Sequence, residues 1–179
     1  EETISTKTLR LTSPTGYLPP FQAGQYISIS VEVDNVRTGR AYSISSAPNQ
    51  TGYWDITVRR VENGRVSNYL LDQVQVGDSL ESSGPQGTFY HHPIVHEPEM
   101  VCLAGGCGIT PFMSMIREIA DRGLPRTIHL FYGNPSLDDA IFHQELMQLS
   151  QRFSTIQYYP VIEKPISDFQ CLTGFITAD

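Results

Sequence analysis

Polar and apolar residues alternate strictly over residues 25–33, with Ile27, Ile29, Val31 and Val33 on one side and Tyr26, Ser28, Ser30 and Glu32 on the other. A period of two marks a strand with one buried face. The rhythm returns at Trp54, Ile56 and Val58, set against Asp55, Thr57 and Arg59, just before an Asn63-Gly64 turn. Residues 41–45 start a further strand after the turn-rich run 34–39, and 79–83 and 88–90 read as closing strands around Gly84-Pro85-Gln86-Gly87. One short helix, residues 67–74, interrupts them with Leu70, Leu71 and Val74 facing inward. Many short strands at this spacing predict a small antiparallel β-barrel or sandwich.

The rhythm changes after residues 92–99, which hold two prolines and no periodicity, so residues 1–95 and 96–179 read as separate domains. Beyond lie a strand at 101–104, a helix at 111–122, a strand at 127–132, a helix at 137–153 and a strand at 155–162. In the first of these helices Phe112, Met115, Ile116, Ile119 and Ala120 share a face, Thr110 is placed to cap, Pro111 stands at the first position and Gly123 at the end. Phe142, Leu146, Leu149 and Phe153 stripe the second, and Ser136 with Asp139 resembles a capping box. Alternation of this kind predicts a parallel, doubly wound α/β sheet. Three strands are too few for one, and the chain stops at Ile176-Thr177-Ala178-Asp179 where a further strand and helix are expected, which suggests a fragment.

Candidate chemistry gathers at turns. Gly105, Gly106 and Gly108 let the backbone turn tightly between an apolar strand and a helix N-terminus, where free N–H groups favour a phosphate. The spacing is not G-x-G-x-x-G, and a plain tight connection is the competing interpretation of the turn alone. Arg40-Ala41-Tyr42-Ser43 sets a cation, an aromatic ring and a hydroxyl along one strand, although an exposed barrel rim would look the same. Gly64-Arg65-Val66-Ser67 opens the short helix of the first domain just after Arg59 and Arg60, giving a second set of free N–H groups. Two anion sites, one per domain, fit two dinucleotides better than one.

Composition removes several other classes. A formal charge of −7 over 179 residues argues against nucleic acid as a partner. No apolar run approaches the roughly 18 residues of a membrane span, and the opening Glu1-Glu2-Thr3 is no signal peptide, so no membrane insertion and a cytoplasmic location are expected. Cys102, Cys107 and Cys171 match no zinc or iron–sulfur spacing, so no metal is expected on this chain, and Cys102 reads as a small buried apolar residue. His91-His92 reads as a loop pair rather than a metal site, since neighbours in a strand point apart.

Taken in order, several segments resemble the signature set of the ferredoxin–NADP reductase family. These are Arg40-Ala41-Tyr42-Ser43, Ile56-Thr57-Val58-Arg59-Arg60-Val61, Gly64-Arg65-Val66-Ser67-Asn68-Tyr69-Leu70, Gly77-Asp78, Ser83-Gly84-Pro85-Gln86-Gly87 and Gly105-Gly106-Cys107-Gly108-Ile109-Thr110-Pro111. The resemblance implies an FAD-binding barrel followed by a pyridine-nucleotide domain. It implies Tyr42 against the flavin ring, Ser43 near its N5, Arg40 on its diphosphate, and Ala41, Thr57, Val58 and Arg59 around it. Gly64, Arg65, Val66 and Ser67 would close over the flavin phosphates. Gly105, Gly106 and Gly108 would take the diphosphate of NADH or NADPH, Thr110 would stand where the two rings meet, and Gly133 with Asn134 would form the turn after the second parallel strand.

The implied activity is hydride transfer from NAD(P)H to FAD, then single electrons to a ferredoxin or other iron–sulfur domain or subunit. An electron-transfer subunit of a larger complex, of the dihydroorotate dehydrogenase or hydrogenase type, and a non-catalytic flavin- or nucleotide-binding module are the alternatives. Four departures qualify the match. The family's first barrel strand is expected before Thr3, and its later Cys-Gly-Pro segment has no counterpart before Asp179, which implies weak NAD(P)H binding by this chain. Pro135 stands where an Arg is frequent. Glu163-Lys164 occupies the region where NADPH users tend to carry Ser-Arg; Lys164 would suit a 2′-phosphate, but the Glu163 carboxylate would repel it, and the expectation leans to NADH.

Overall fold

The computed structural model describes residues 1–164 and 171–177. The first lobe contains β1 (Thr6–Leu11), β2 (Tyr26–Val33), β3 (Val36–Ser43), β4 (Trp54–Arg59), α1 (Arg65–Asp72) and the two-residue β5 (Glu81–Ser82). They form two antiparallel sheets, β1-β4 and β3-β2-β5, joined by a lone bridge between Ile44 and Ile56. The described ladders stop short of a continuous closed barrel. Between the sheets lies a core of Ile27, Ile29, Ile44, Trp54, Ile56 and Val58, sealed at one end by Val66, Leu70 and Leu71 of α1. The alternation over β2 is realised as written, with Ile27 and Ile29 wholly buried and Tyr26 and Ser28 half-buried.

Several boundaries differ from expectation. The supposed turn-rich run 34–39 is mostly strand: β2 and β3 meet in a two-residue hairpin with Val33 opposite Val36. Asp34 and Asn35 adopt φ of 53° and 60°, the left-handed pair that follows the right-handed strand twist. A strand exists at Thr6–Leu11, pairing with β4 from Thr6↔Arg59 to Leu11↔Trp54, whereas the family pattern placed the first strand before Thr3. Lys7 and Arg10 hide its alternation. Arg10 lies across the sheet in a bidentate pair with buried Asp55, at 2.9 Å for both bonds, its guanidinium 3.7 Å from the Tyr53 ring centre. Residues 88–90 form no strand; Phe89 instead meets Phe112 edge-on at 5.5 Å, tying the linker to the second lobe.

That lobe contains β6 (Glu99–Gly105), a 3-10 turn (Gly106–Ile109), α2 (Thr110–Arg122), β7 (Thr127–Asn134), α3 (His143–Arg152), β8 (Ile156–Ile162) and β9 (Leu172–Thr173). The strands are parallel in the order β6-β7-β8-β9. Cys102, Ala104, Ile128, Leu130 and Ile156 bury one sheet face against Met113, Ile116 and Ile119 of α2 and Leu146 of α3. On the opposite face Val101 and Leu103 are exposed. Both crossovers advance in one direction, and a right-handed crossover then puts both helices on one face. Double winding is therefore not completed among the described residues.

Thr110 does not cap α2. Ile109 holds that position without a side-chain cap, and the Thr110 hydroxyl donates to the Cys107 carbonyl at 3.1 Å. The 3-10 turn in front has already continued the helical path, so no extended capping residue is needed. Gly123 closes α2 at φ 59°, as its position suggested. Helix α3 begins six residues later than expected, because Phe142 is left-handed at φ 62° and breaks the run. Ser136 donates to the Asp139 carboxylate at 2.8 Å, so it ties a turn and caps no helix.

The left-handed hairpin pair offers a direct check. Replacement Asn35→Val should destabilise by about 1–2 kcal/mol, the usual cost of a β-branched residue in that region, and Asn35→Gly should not. Urea denaturation midpoints of the two variants measure the difference.

Candidate functional site

Arg40, Ala41, Tyr42 and Ser43 run along the end of β3, opposite Ile29, Ser28, Ile27 and Tyr26. Arg40 and Ala41 are exposed, and Tyr42 and Ser43 half-buried, with Tyr42 leaning on the first core. Burial pushes the Tyr42 phenol up, and the Arg40 charge partly offsets it. On β4 the hydroxyl of Thr57 is already engaged, 2.9 Å from Thr8 Oγ1 and 3.1 Å from Ser45 Oγ, and Val58 is wholly buried. These two could offer a ligand only their main chain.

Gly64 precedes α1, whose first turn has no side-chain cap. A Cβ at Gly64 would fall 2.6 Å from Ser67 Oγ and 2.8 Å from Val61 Cβ, so the turn closes only over glycine. Ser67 is buried; its hydroxyl accepts from the Val61 N–H at 3.2 Å and faces the Gly64 carbonyl at 3.4 Å. Val66 belongs to the core and Arg65 is exposed. The helix start therefore presents backbone N–H groups beside an exposed arginine.

The arginines divide sharply. Among the described residues Arg10, Arg37, Arg60, Arg117, Arg122 and Arg126 lie within 4.0 Å of a carboxylate, and Arg152 lies over Phe153. Arg40, Arg59 and Arg65 are in none of these pairs. Arg40 reaches only the Gly39 carbonyl at 2.7 Å and Thr38 Oγ1 at 3.4 Å. Arg59 crosses to the other lobe and lies over the glycine turn, its Nη1 2.6 Å from where a Gly106 Cβ would stand.

That turn is held from beneath as well. Tyr132, wholly buried on β7, donates its hydroxyl proton to the Gly106 carbonyl at 2.8 Å and accepts from the Ile141 N–H at 3.1 Å. Burial drives the Tyr132 phenol well above its ordinary range, which keeps it a proton donor. The patterning gave no sign of this role, since a tyrosine in an apolar strand reads as core. Gly105 and Gly108 face open space, Cys107 is exposed and Thr110 is buried. No hydrogen bond or ring contact links Tyr42 to Thr110 among the described residues.

At the carboxyl ends of β6 and β7 a groove of about 410 Å³ is lined by Gly105, Gly133, Asn134, Glu163, Phe175 and Ile176, among others. The side-chain carboxamide of Asn134 is buried close to the Tyr132 phenol, and neither its nitrogen nor its oxygen makes a well-formed hydrogen bond among the described residues. A buried amide left in that state is costly, and a ligand with matched donors and acceptors would relieve it. The carboxyl edge of an open parallel sheet is where such folds bind nucleotides. The residues thus fit a dinucleotide in this groove and a second anionic cofactor beside Arg40 and Arg65.

A strand-rich lobe with carboxylate-free arginines, followed by a parallel sheet with a glycine-rich first turn, defines a two-lobed, dinucleotide-dependent oxidoreductase module. The chain belongs to the oxidoreductase family built from an FAD-binding domain, matched over residues 2–91, and an NAD-binding domain, matched over residues 102–179. It is similar to the phenol hydroxylase P5 protein of Acinetobacter pittii, 35% identical over 159 residues, covering 87% of this chain and 44% of that protein. It is also similar to NADH-cytochrome b5 reductase 1 of Dictyostelium discoideum, 31% identical with 87% and 54% covered.

Among solved structures, the FAD/NAD-binding domain of a Vibrio cholerae nitric oxide dioxygenase superposes with a TM-score of 0.89 at 26% identity, over 99% of this chain and 76% of that one. Phthalate dioxygenase reductase gives 0.75 at 29%, over 94% and 49%. The chain spans about half the length of the curated relatives it matches. No helix among the described residues is long and apolar enough to cross a membrane.

Two chemical probes follow from the turn. Cys102 is buried and its thiol is pushed up to about 11, so it should resist a thiol reagent at pH 8 until the chain unfolds, while exposed Cys107 should react at once. Replacement Tyr132→Phe should lower stability by roughly 1–3 kcal/mol by orphaning the Gly106 carbonyl, measured by chemical denaturation.

Proposed function

We propose that the protein takes reducing equivalents from NADH, in preference to NADPH, through FAD to an iron–sulfur acceptor of ferredoxin type. The observation that carries this is that, among the described residues, Arg40, Arg59 and Arg65 of the first lobe have neither a carboxylate nor an aromatic ring as partner, in a chain of net charge −7. Cations left unpaired beside two glycine turns suit two diphosphates. Arg40 and the N–H groups of residues 65–67 would hold the flavin diphosphate, and Tyr42 and Ser43 would face its ring. Bound flavin supplies the step that accepts a hydride as an electron pair and releases electrons singly. What the chain itself contributes is placement: Thr110 and the glycine turn on one side of the cleft, Tyr42 and Ser43 on the other.

Glu163 lines the nucleotide groove. Its carboxylate would accept bonds from a ribose diol and repel a 2′-phosphate, which supports NADH. The acceptor rests on relatives: phthalate dioxygenase reductase is a modular protein for electron transfer from pyridine nucleotides to [2Fe-2S]. A haem protein is the second interpretation, favoured by the similarity to NADH-cytochrome b5 reductase.

The protein should retain FAD and show the visible flavin absorption, which NADH should bleach faster than NADPH under anaerobic conditions. Replacement Arg40→Ala should weaken FAD binding by about 2 kcal/mol, roughly 30-fold in dissociation constant, as for loss of a charge-assisted bond. Equilibrium dialysis or flavin fluorescence titration measures it; unchanged affinity would remove Arg40 from the site.

A further inference from the structure

Helix α2 grips the first lobe at two consecutive carbonyls. The wholly buried Ser114 donates its hydroxyl proton to the Ser46 carbonyl at 2.7 Å, and Arg117 Nη1 donates to the Ser45 carbonyl at 2.8 Å. The other edge of the guanidinium is held by α3, where Nε and Nη2 donate to the two Glu145 oxygens at 2.8 and 2.6 Å. Its face lies over the Phe142 ring, 4.8 Å from the centre. Three N–H groups pointing two ways from one plane are what arginine offers and lysine does not. Exposed ion pairs contribute little, but this side chain is only 21% exposed and its third bond ends on a wholly buried residue.

The segment it grips is rigid. Ser45 donates its N–H to the Asp55 carbonyl at 2.8 Å and places its hydroxyl 3.1 Å from Thr57, and Ser46 Oγ accepts from the Asp55 N–H at 3.1 Å. This strap begins two residues after Ser43. Meanwhile α2 starts at Thr110, the end of the glycine turn, and Arg117 stands two turns further along the same helix. One rod therefore holds the turn at its tip and the strap at its flank.

The geometry points to Arg117 as a positioning residue that fixes the offset between Tyr42-Ser43 and the glycine turn, and with it the separation of the flavin and nicotinamide rings. This rests on the functional reading proposed above. Arg117 touches neither ligand; it acts through the Ser45 carbonyl. Without it that carbonyl and the Glu145 carboxylate lose their shared partner, and α2 is left tied to this part of the first lobe by Ser114 and, at the exposed end, by Asp121, which accepts from Asn49 and Gln50 at 3.1 and 3.2 Å.

The test compares Arg117→Met, Arg117→Lys and Glu145→Gln with a control on the same helix, Arg122→Met, which breaks only the surface pair with Glu118. Hydrogen exchange is followed at residues 44–46 with and without FAD, together with the visible circular dichroism of bound FAD and its anaerobic reduction by NADH. In Arg117→Met, exchange at 44–46 should rise about tenfold and the flavin dichroism should change, while FAD affinity stays within about threefold and reduction slows by tenfold or more, as small misplacements cost rate. Arg117→Lys should fall between, and Arg122→Met should match the parent. Unchanged exchange and dichroism in Arg117→Met, or equal changes in Arg122→Met, would overturn the assignment. If Arg117→Met does not fold, Arg117→Lys and Glu145→Gln carry the comparison. Should the parent bind no FAD, the functional reading fails while exchange still reads the clamp.

Discussion

The turn between β6 and α2 is fixed from both sides, and the rest of the cleft depends on it. Gly106 sits at φ 50°, its carbonyl taken by the buried Tyr132 hydroxyl at 2.8 Å, its upper side under the Arg59 guanidinium of the other lobe. A side chain there would be strained in conformation and would push the mobile Arg59 tip aside, so it is the backbone angle that calls for glycine. With that carbonyl taken within the protein, the turn leads directly into α2, whose dipole adds to the attraction for an anion at this end. Tyr132 in turn takes the Ile141 N–H, which ties the turn to the segment leading into α3.

How much of this the residues announced depends on whether the signal was local. Alternation in β2, the apolar stripe of α2 and Gly123 as its terminator are short-range patterns, and they are realised within a residue or two. The strand at Thr6–Leu11 was not visible because Lys7 interrupts the face of Leu9 and Leu11 while Arg10 lies on the other, and their partners Leu71 and Asp55 lie over 40 residues away. Likewise Asp34-Asn35 reads as a loose turn until both residues are seen to take left-handed backbone, which turns the flanking polar run into strand. Phe142 fooled the helix pattern: it keeps the apolar spacing but stacks under Arg117 from a left-handed turn.

For the site, the motif residues were legible and their supports were not. The glycine turn, Arg40 and Asn134 stand out as residue types in context, whereas Tyr132 and Arg117 act through carbonyls of Gly106 and Ser45 that only the fold brings within reach. A buried tyrosine and a helix arginine carry no periodic signature. Both satisfy main-chain acceptors at places where the chain is not in a ladder, and such bonds are invisible until the path of the backbone is known.

The two lobes differ in what they leave free, and this bears on how each would treat its ligand. In the first lobe the hydroxyls of Thr57 and Ser67 are engaged within the protein, so a cofactor there would be held by main chain, by the arginines and by the half-buried Tyr42 and Ser43. Such a surface is rigid before binding, which favours tight and lasting retention. In the second lobe a buried carboxamide, Asn134, has no well-formed hydrogen bond among the described residues and lines a groove together with Phe175 and Ile176. A ligand there would gain from relieving the amide. A surface set before binding in one lobe and a polar group that a ligand would satisfy in the other are what a bound flavin and a consumed nicotinamide would call for.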